Sequence, residues 1–281
     1  MLRYVVDSKP LSFIIENVRG LVYGVHAKKR FGSILRSLRR THHVHWGILS
    51  PRDIANVPQS RGRVFVLGLR RGSKSGQLFQ DNWQWPCKCP CDGLASFFPK
   101  LALEALPRNT ASDRNIRFMD ERITAGKLPM DVPFVLDLGC SKGRPQVVPD
   151  VSPCLIRARA SSRAFWIVRP CDVKSVPLVG HRLTSDDMAR LQGYDITLAS
   201  DLGKHLTEAQ LRKVYGNAIN LKVLSLLIGQ LLPYLQCLKK FWFGASMLRG
   251  IGLHYCLQRC GCFLLLVGVQ KVMRLDWVWM G

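Results

Sequence analysis

The run Arg63–Leu69, with the sequence RVFVLGL, constrains the fold most, because it is apolar on both of its alternating faces. A strand of this kind is covered on both sides by other layers. Two more strands are predicted, at Phe13–Ile15 and in VHWGIL (44–49), with a helix between them from the apolar spacing of Phe31 through Leu38. This order of elements predicts an α/β layer with a mainly parallel sheet.

The balance of charge favours a polyanionic partner. The 281 residues include 41 Lys and Arg against 19 Asp and Glu, which gives a formal net charge of +22. Such a surplus favours nucleic acid first and an anionic membrane surface second, and a solvated surface without a specific partner stays open. No signal-peptide pattern opens the sequence, and charges interrupt every apolar run before the roughly 20 residues that a membrane helix needs. We therefore predict no membrane association and a reducing compartment, since the 10 cysteines are irregularly spaced.

The middle of the chain has a different character. From about Ser73 the periodicity breaks up as Pro, Cys, Ser and Arg become frequent, which predicts a separate, irregular domain. A short helix is predicted at Leu101–Leu106, and strands are predicted in PFVLDLG (133–139) and AFWIV (164–168).

Two helices are predicted after this region. The sequence LTSDDMARLQGY has Thr184 or Ser185 as its N-cap, acidic residues in the first turn and Gly193 at its end. A long apolar helix begins at Leu221 and is predicted to lie in a core.

Two groups of polar residues adjoin the apolar strands. Glu16 and Asn17 end the first strand, either because it exits to solvent or because it delivers a site residue at its carboxyl end. Gln59, Arg61 and Arg63 alternate, and an extended segment would direct them to one side. An amide and two guanidinium groups suit a phosphate or a base edge, although solvated residues on an edge strand are the alternative.

Cysteine and histidine clusters give weak metal signals. The run PCKCPC (86–91) has short spacing and no fourth ligand nearby, so reduced loop cysteines are favoured over zinc. The histidines in THHVH (41–45) are predicted to be polar surface. No metal site is predicted.

Four segments resemble, in order and spacing, elements of the cytosine-5 DNA methyltransferase family, over roughly Leu11 to Leu235. They are FIIENVRGL (13–21), VPQSRGRVFVLGL (57–69), HRLTSDDMARLQGYD (181–195) and YGNAINLKVLSLL (215–227). The resemblance implies an α/β fold with a partial Rossmann-like S-adenosylmethionine-dependent methyltransferase sheet and a smaller, irregular target-recognition domain.

The resemblance also implies four parts. Residues 1–72 are the C-terminal half of the catalytic sheet, and 73–175 are the target-recognition domain. Residues 176–238 are return helices that complete the catalytic domain, and 239–281 form a non-homologous apolar tail.

Roles for single residues follow from the same resemblance. Glu16 bonds the ring nitrogen and exocyclic amine of a flipped cytosine and activates its sixth carbon, while Arg61 and Arg63 hold the base and neighbouring groups. The other implied residues are Asn17, Gln59 and Arg182 for substrate and Asn217 for S-adenosylmethionine.

Departures from the family bear on activity. The family's nucleophile is the Cys of a Pro-Cys-Gln loop, and neither that sequence nor the Phe-x-Gly-x-Gly cofactor loop occurs in the 281 residues. The tail around Gly250-Ile251-Gly252 resembles a degraded cofactor loop, with Gln270 where an acidic ribose ligand belongs, and permutation is the disfavoured alternative. We therefore expect the chain alone to transfer no methyl group.

The resulting prediction is a DNA cytosine-5 methyltransferase homologue that uses S-adenosylmethionine and binds cytosine-containing double-stranded DNA. The missing N-terminal half is a further partner. The alternatives are a tRNA cytosine-5 methyltransferase of the same fold and a non-catalytic nucleic-acid-binding remnant. The expected location is the nucleus in a eukaryote and the cytoplasm otherwise.

Overall fold

The computed structural model describes residues 2–129, 131–140, 145, 147–155, 164–169 and 179–235, and the backbone of 264–268. The chain divides into two compact units. The first comprises residues 1–49, 62–86 and 225–281, and the second comprises residues 50–61 and 87–224. The assignment of the four parts to a catalytic sheet, a recognition domain, return helices and a tail stays a prediction.

Helices and strands alternate up to residue 82, and further along the chain they occur in runs. The described helices are α1 (Leu2–Ser8), α2 (Val25–Arg39), α3 (Pro51–Ile54), α4 (Lys74–Asn82), α5 (Gly93–Phe97), α6 (Thr110–Thr124), α7 (Ser185–Leu191), α8 (Ile196–Gly203), α9 (Glu208–Asn217) and α10 (Leu221–Leu231). The strands are β1 (Ser12–Val18), β2 (His42–Leu49), β3 (Arg63–Arg70), β4 (Glu104–Ala105), β5 (Phe134–Asp137), β6 (Phe165–Val168), β7 (Val179–Arg182) and β8 (Leu264–Gly268). Short 3-10 turns follow β1 and α10.

The first unit contains a four-stranded sheet in the order β2-β3-β1-β8. Strand β3 is antiparallel to both β1 and β2, and β8 is parallel to β1. The expectation of a mainly parallel sheet is therefore wrong for the three strands on which it rested. A continuously apolar strand looks the same in either direction, and residues 50–61 between β2 and β3 belong to the second unit instead of forming a crossover helix on this sheet.

Helix α2 covers one face of this sheet. Its buried residues Phe31, Leu35 and Leu38 form a core with Phe13 and Ile15 of β1 and with Val64 and Val66 of β3. Because side chains alternate along a strand, Glu16 points from the opposite face of β1. The predicted helix and all three predicted strands are confirmed.

The prediction that the histidines of THHVH lie on the surface is wrong for His42 and His43. His42 is fully buried and His43 is 9% exposed. His42 Nε2 lies 2.8 Å from the carbonyl oxygen of Pro10, and Nδ1 lies 2.8 Å from the hydroxyl of Thr41. Burial lowers the pKa of His42, so a neutral imidazole with two partners fits this apolar position.

The second unit contains an antiparallel sheet in the order β4-β7-β6-β5. The strands predicted in PFVLDLG and AFWIV are confirmed as β5 and β6. The helix predicted at Leu101–Leu106 is wrong, because Glu104 and Ala105 pair with β7. A two-residue pairing with a distant strand has no local signature, so the leucines suggested a helix instead.

Helix α7 of the second unit begins as predicted. The hydroxyl of Thr184 accepts from the backbone N–H of Asp187, and the Asp187 carboxylate accepts from the backbone N–H of Thr184, which forms a capping box. Gly193 has a φ of 75°, a conformation that glycine adopts without strain and that ends the helix.

The C-terminal tail contributes β8, whose backbone pairs with β1 from Ser12 to Glu16. The sequence Gly250-Ile251-Gly252 and Gln270 lie outside the described residues, so the permutation alternative is untested. Within the described part of the chain, no helix is both long and apolar enough to span a bilayer.

Candidate active site

The carboxylate of Glu16 pairs with Arg63 in the first unit. Strand β1 brings Glu16 to its carboxyl end, where the side chain leaves the sheet face opposite α2. Antiparallel pairing places Glu16 opposite Phe65, two residues from Arg63 along β3. Arg63 Nε lies 2.9 Å from Glu16 Oε1, and the side chains are 16% and 11% exposed. The ion pair therefore lies at the edge of the core, where a charge keeps some access to solvent.

Asn17, the next residue of β1, points to the other side and is half-buried. Its side-chain oxygen accepts from the backbone N–H of Val18 at 2.7 Å. This bond turns the amide back onto its own strand. A substrate role for Asn17 stays a prediction.

Arg61 has a different environment, in the second unit. Its side chain is 3% exposed. Nη1 donates to the carbonyl oxygens of Leu155 at 2.9 Å and Gly216 at 3.4 Å, and Nη2 donates to that of Ala218 at 2.9 Å. A planar guanidinium with five donors can join separate backbone segments in this way.

Two of these carbonyl groups flank Asn217, the predicted cofactor residue. Helix α9 ends at Asn217, and the last carbonyls of a helix lack partners within the helix. A cation at this end is favoured by the helix dipole as well as by hydrogen bonding. Arg61 therefore fixes the backbone on both sides of Asn217, whose own side chain is half-buried.

Arg61 also lies near a pair of tyrosines. The rings of Tyr194 and Tyr215 are 5.7 Å apart. Burial raises the pKa of Tyr194, and the positive charge of Arg61 opposes that rise. Arg61 is thus close enough to Tyr194 to favour the ionised form of its phenol.

Gln59 does not continue the strand that contains Arg63. The backbone N–H of Gln59 bonds to the carbonyl of Val57, and that of Arg61 bonds to the carbonyl of Gln59, which makes two tight turns before β3 begins. The alternation expected from an extended segment is therefore wrong for Gln59. Its side chain is fully buried, and neither polar atom has a hydrogen-bond partner among the described residues.

Arg182, another predicted substrate residue, ends β7. Its Nε lies 3.2 Å from Glu104 Oε1, and the side chains are 37% and 48% exposed. The pair is open to solvent, so Arg182 could exchange this carboxylate for a phosphate at small cost.

A histidine–aspartate pair beside Arg182 had not been predicted. His181 Nε2 lies 2.8 Å from Asp187 Oδ2, which also accepts from the backbone and hydroxyl of Thr184. The hydrogen bond to Asp187 raises the pKa of His181. Burial alone would raise the pKa of Asp187, but the hydrogen bonds from His181 and Thr184 lower it. The sequence HRLTSDD contains the cap but no signal that His181 shares it.

The cysteine cluster gives no support to a metal. Cys87 is exposed, Cys89 and Cys91 are half-buried, and each is a free thiol. Among the described residues, no three His, Cys, Asp or Glu side chains are placed to hold an ion.

The structure thus brings together Glu16 and Arg63 in one unit, and Arg61 with the backbone around Asn217 in the other. A carboxylate beside a guanidinium can accept from an amine and hold a proton near a ring nitrogen, with the cation balancing charge. A half-exposed amide on a fixed turn suits contact with a small ligand.

Part of the chain matches known proteins in sequence. Residues 1–115 match the family model for C-5 cytosine-specific DNA methylase. The chain is 34% identical over 70 residues to the type II methyltransferase M.Bsp6I of Bacillus sp. (strain RFL6), covering 25% of this chain and 22% of that protein. It is 39% identical over 72 residues to M.SacI of Streptomyces achromogenes, covering 25% of this chain and 18% of that protein. The chain therefore matches about a fifth of the length of these curated relatives.

A solved structure extends the likeness at the level of fold. The methyltransferase EhMeth of Entamoeba histolytica is similar with a TM-score of 0.51 and 15% identity, over 83% of this chain and 68% of that one. At this identity the likeness shows the α/β methyltransferase fold alone.

Proposed function

We propose that this chain, which belongs to the cytosine-5 DNA methyltransferase family, supplies the base-holding part of a DNA cytosine-5 methyltransferase. The observation that supports this most is the Glu16–Arg63 pair at 2.9 Å, formed between two segments that carry the family resemblance. Its DNA substrate and its activity are parts of the proposal.

Glu16 has the chemistry that a cytosine requires. One carboxylate oxygen accepts from the exocyclic amine while the carboxyl shares a proton with the ring nitrogen, so that negative charge in the ring is stabilised. Arg63 keeps the carboxylate oriented and adds donors beside it. The base must leave the stacked duplex to reach this pair, because its reacting carbons are inaccessible inside the helix.

S-adenosylmethionine would supply the methyl group as a sulfonium. Of the residues predicted to contact it, Asn217 alone is described, and its half-buried amide on the turn fixed by Arg61 fits such a contact. One amide is not a complete site, so the described residues account for only part of a cofactor site.

The covalent step needs a thiolate that adds to the sixth carbon of cytosine. The 281 residues contain no Pro-Cys-Gln sequence. Glu16 and Arg63 polarise and orient the ring but cannot provide that nucleophile. We therefore expect the methyl transfer to depend on a second polypeptide segment.

Transfer of a tritiated methyl group tests the proposal. The chain alone should label neither DNA nor tRNA. Mixed with a methyltransferase fragment that carries the Pro-Cys-Gln and Phe-x-Gly-x-Gly loops, it should label duplex DNA at cytosine. Labelling of tRNA in preference to DNA would show that the substrate is tRNA. Efficient labelling by the chain alone would contradict the proposal that a second segment supplies the nucleophile.

A further inference from the structure

Helix α2 presents a basic surface that neither the Glu16–Arg63 pair nor the Asn217 turn uses. Its cations are Lys28, Lys29, Arg30, Arg36 and Arg39, and Arg40 follows at the C-cap; all six are exposed. The sequence from Asn17 to Arg52 contains no Asp or Glu. Among the described residues, no carboxylate forms an ion pair with any of the six.

Five of these cations lie on one stripe. At about 100° per residue, Lys28, Lys29, Arg36, Arg39 and Arg40 fall within an arc of roughly 120°. The stripe runs from Lys28 to Arg40, about 18 Å along the helix axis at about 1.5 Å per residue. Gly32 lies within the same arc. A Cβ at this position would lie 3.7 Å from Nη1 of Arg36, a mobile side-chain end, so the middle of the stripe has no bulky side chain of its own and a ligand backbone can approach closely.

The stripe continues onto the sheet. Arg71, which directly follows β3, donates through Nε to the carbonyl oxygen of Arg39 at 2.9 Å. Arg70 donates through Nη1 to the carbonyl of Lys9 at 3.4 Å. The basic surface, defined here as the five stripe residues with Lys9, Arg70 and Arg71, therefore extends from α2 to the ends of α1 and β3.

The basic surface and the side chain of Glu16 lie on opposite sides of the sheet. The buried side of α2 packs on the face that contains Phe13 and Ile15, and Glu16 points from the other face of β1. A layer of sheet and helix, with a spacing of about 10 Å, separates the two. A ligand segment held at Glu16 cannot also cover the stripe, so the stripe needs a ligand that is long or a second segment of the same polymer.

We infer that the basic surface of α2 is a second nucleic-acid site, which holds the phosphate backbone of a duplex outside the segment that carries the target base. Charge complementarity selects this ligand. About 18 Å of duplex axis carries roughly ten phosphate charges, which is a denser array than the stripe requires. The apolar side of α2 is buried against the sheet, so the helix cannot insert into a bilayer as an interfacial helix does.

This inference rests on the nucleic-acid substrate of the proposed function, but it concerns a separate surface and can fail alone. The test compares Lys29→Glu/Arg36→Glu with a matched control, Lys74→Glu/Lys213→Glu. Each double variant changes the net charge by the same amount at exposed positions. Affinity for a fluorescent random-sequence duplex of about 30 base pairs would be measured by anisotropy over a range of KCl concentrations.

The α2 variant should lower the slope of log affinity against log salt by about two, at roughly 0.9 for each lost phosphate contact, and weaken binding on the order of tenfold. The control should keep the wild-type slope. A Lys29→Gln/Arg36→Gln variant, which removes charge without adding repulsion, should give the same loss of slope as the charge reversal.

Equal effects of the α2 and control variants would overturn the inference, because net charge alone would then explain binding. It would also be overturned if the α2 variant bound duplex normally but lost binding to vesicles of phosphatidylserine and phosphatidylcholine. The proposed function has a separate test, since methyl transfer in the complemented assay depends on Glu16. Retained methyl transfer with an unchanged salt slope would reject the α2 site alone.

Discussion

Arg61 and Arg63 are two residues apart and belong to one motif, yet their surroundings differ. Arg63 pairs with the partly exposed carboxylate of Glu16 and donates to the carbonyl of the residue before it, whereas Arg61 is buried and donates to three backbone carbonyls. A side-chain partner can be exchanged for a substrate, but backbone carbonyls in the interior cannot. We therefore propose substrate contact for Arg63, whereas Arg61 fixes the backbone on both sides of Asn217.

The largest expected effect is that of Arg61→Ala on stability. Removal of the guanidinium leaves the carbonyls of Leu155, Gly216 and Ala218 without their donor, so the free energy of unfolding should fall by about 3 kcal/mol. Urea denaturation followed by circular dichroism measures it. Arg61→Lys should recover only part of the loss, because one ammonium cannot reach all three oxygens.

Arg63→Ala is the matched control for Arg61→Ala. Since the ion pair that it breaks is partly exposed, Arg63→Ala should lower the free energy of unfolding by about 1 kcal/mol or less. A larger loss of stability for Arg63→Ala than for Arg61→Ala would contradict the structural role assigned to Arg61.

The His181–Asp187 pair should contribute less to stability than Arg61 and more than Arg63, since it combines side-chain pairing with a helix cap. Asp187→Ala removes both, so the free energy of unfolding should fall by about 2 kcal/mol. Thermal or urea unfolding would show this. Asp187→Asn keeps part of the cap, so it should lose less stability than Asp187→Ala. An equal loss would mean that the charge of Asp187, and not the cap, accounts for the whole effect.

The same pair predicts a dependence of stability on pH. The pKa of His181 is raised from 6.5, so its contribution is complete below that value and is lost as the pH rises through the raised pKa. The pKa of Asp187 is lowered from 3.8, so its contribution is complete above 3.8 and is lost as the pH falls through the lowered pKa. The difference in stability between wild type and His181→Gln should therefore be greatest from about pH 4 to pH 6.5. A difference that is flat from pH 4 to pH 9 would contradict the pairing.

Glu16→Gln should have only a small effect on stability. The amide oxygen of Gln can still accept from Arg63, and the pair is partly exposed, so the change should be within about 1 kcal/mol. Differential scanning calorimetry would measure it against Glu104→Gln, which alters the more exposed pair with Arg182 and should have no measurable effect. A large loss would mean that Glu16 is mainly structural.

Local features of the fold could be predicted from the sequence, and distant pairings could not. The cap at Thr184 and the stop at Gly193 depend on neighbours within a few residues, so the helix between them was predicted with its ends. The antiparallel direction of β3 depends on where residues 50–61 go, and an apolar strand carries no mark of direction.

The site shows the same division. Glu16, Arg61 and Arg63 could be predicted as site residues because they belong to recognisable motifs. Arg61 donates to backbone oxygens as far as 94 and 157 residues away, at Leu155 and Ala218, and a carbonyl group has no identity that a sequence could reveal. The apolar spacing from Phe31 to Leu38 predicted which side of α2 is buried, and the structure shows that this side packs on the sheet and leaves the basic surface in solvent.

The central claim is that Glu16 acts on the base and not on the fold or the phosphate backbone. Its most direct test is turnover of Glu16→Gln in the complemented methyl-transfer assay, with duplex affinity measured in the same buffer. Turnover should fall on the order of a hundredfold or more, as loss of a proton-transfer group does, while affinity changes by less than about threefold. Unchanged turnover, or a loss that matches the loss of affinity, would contradict the claim.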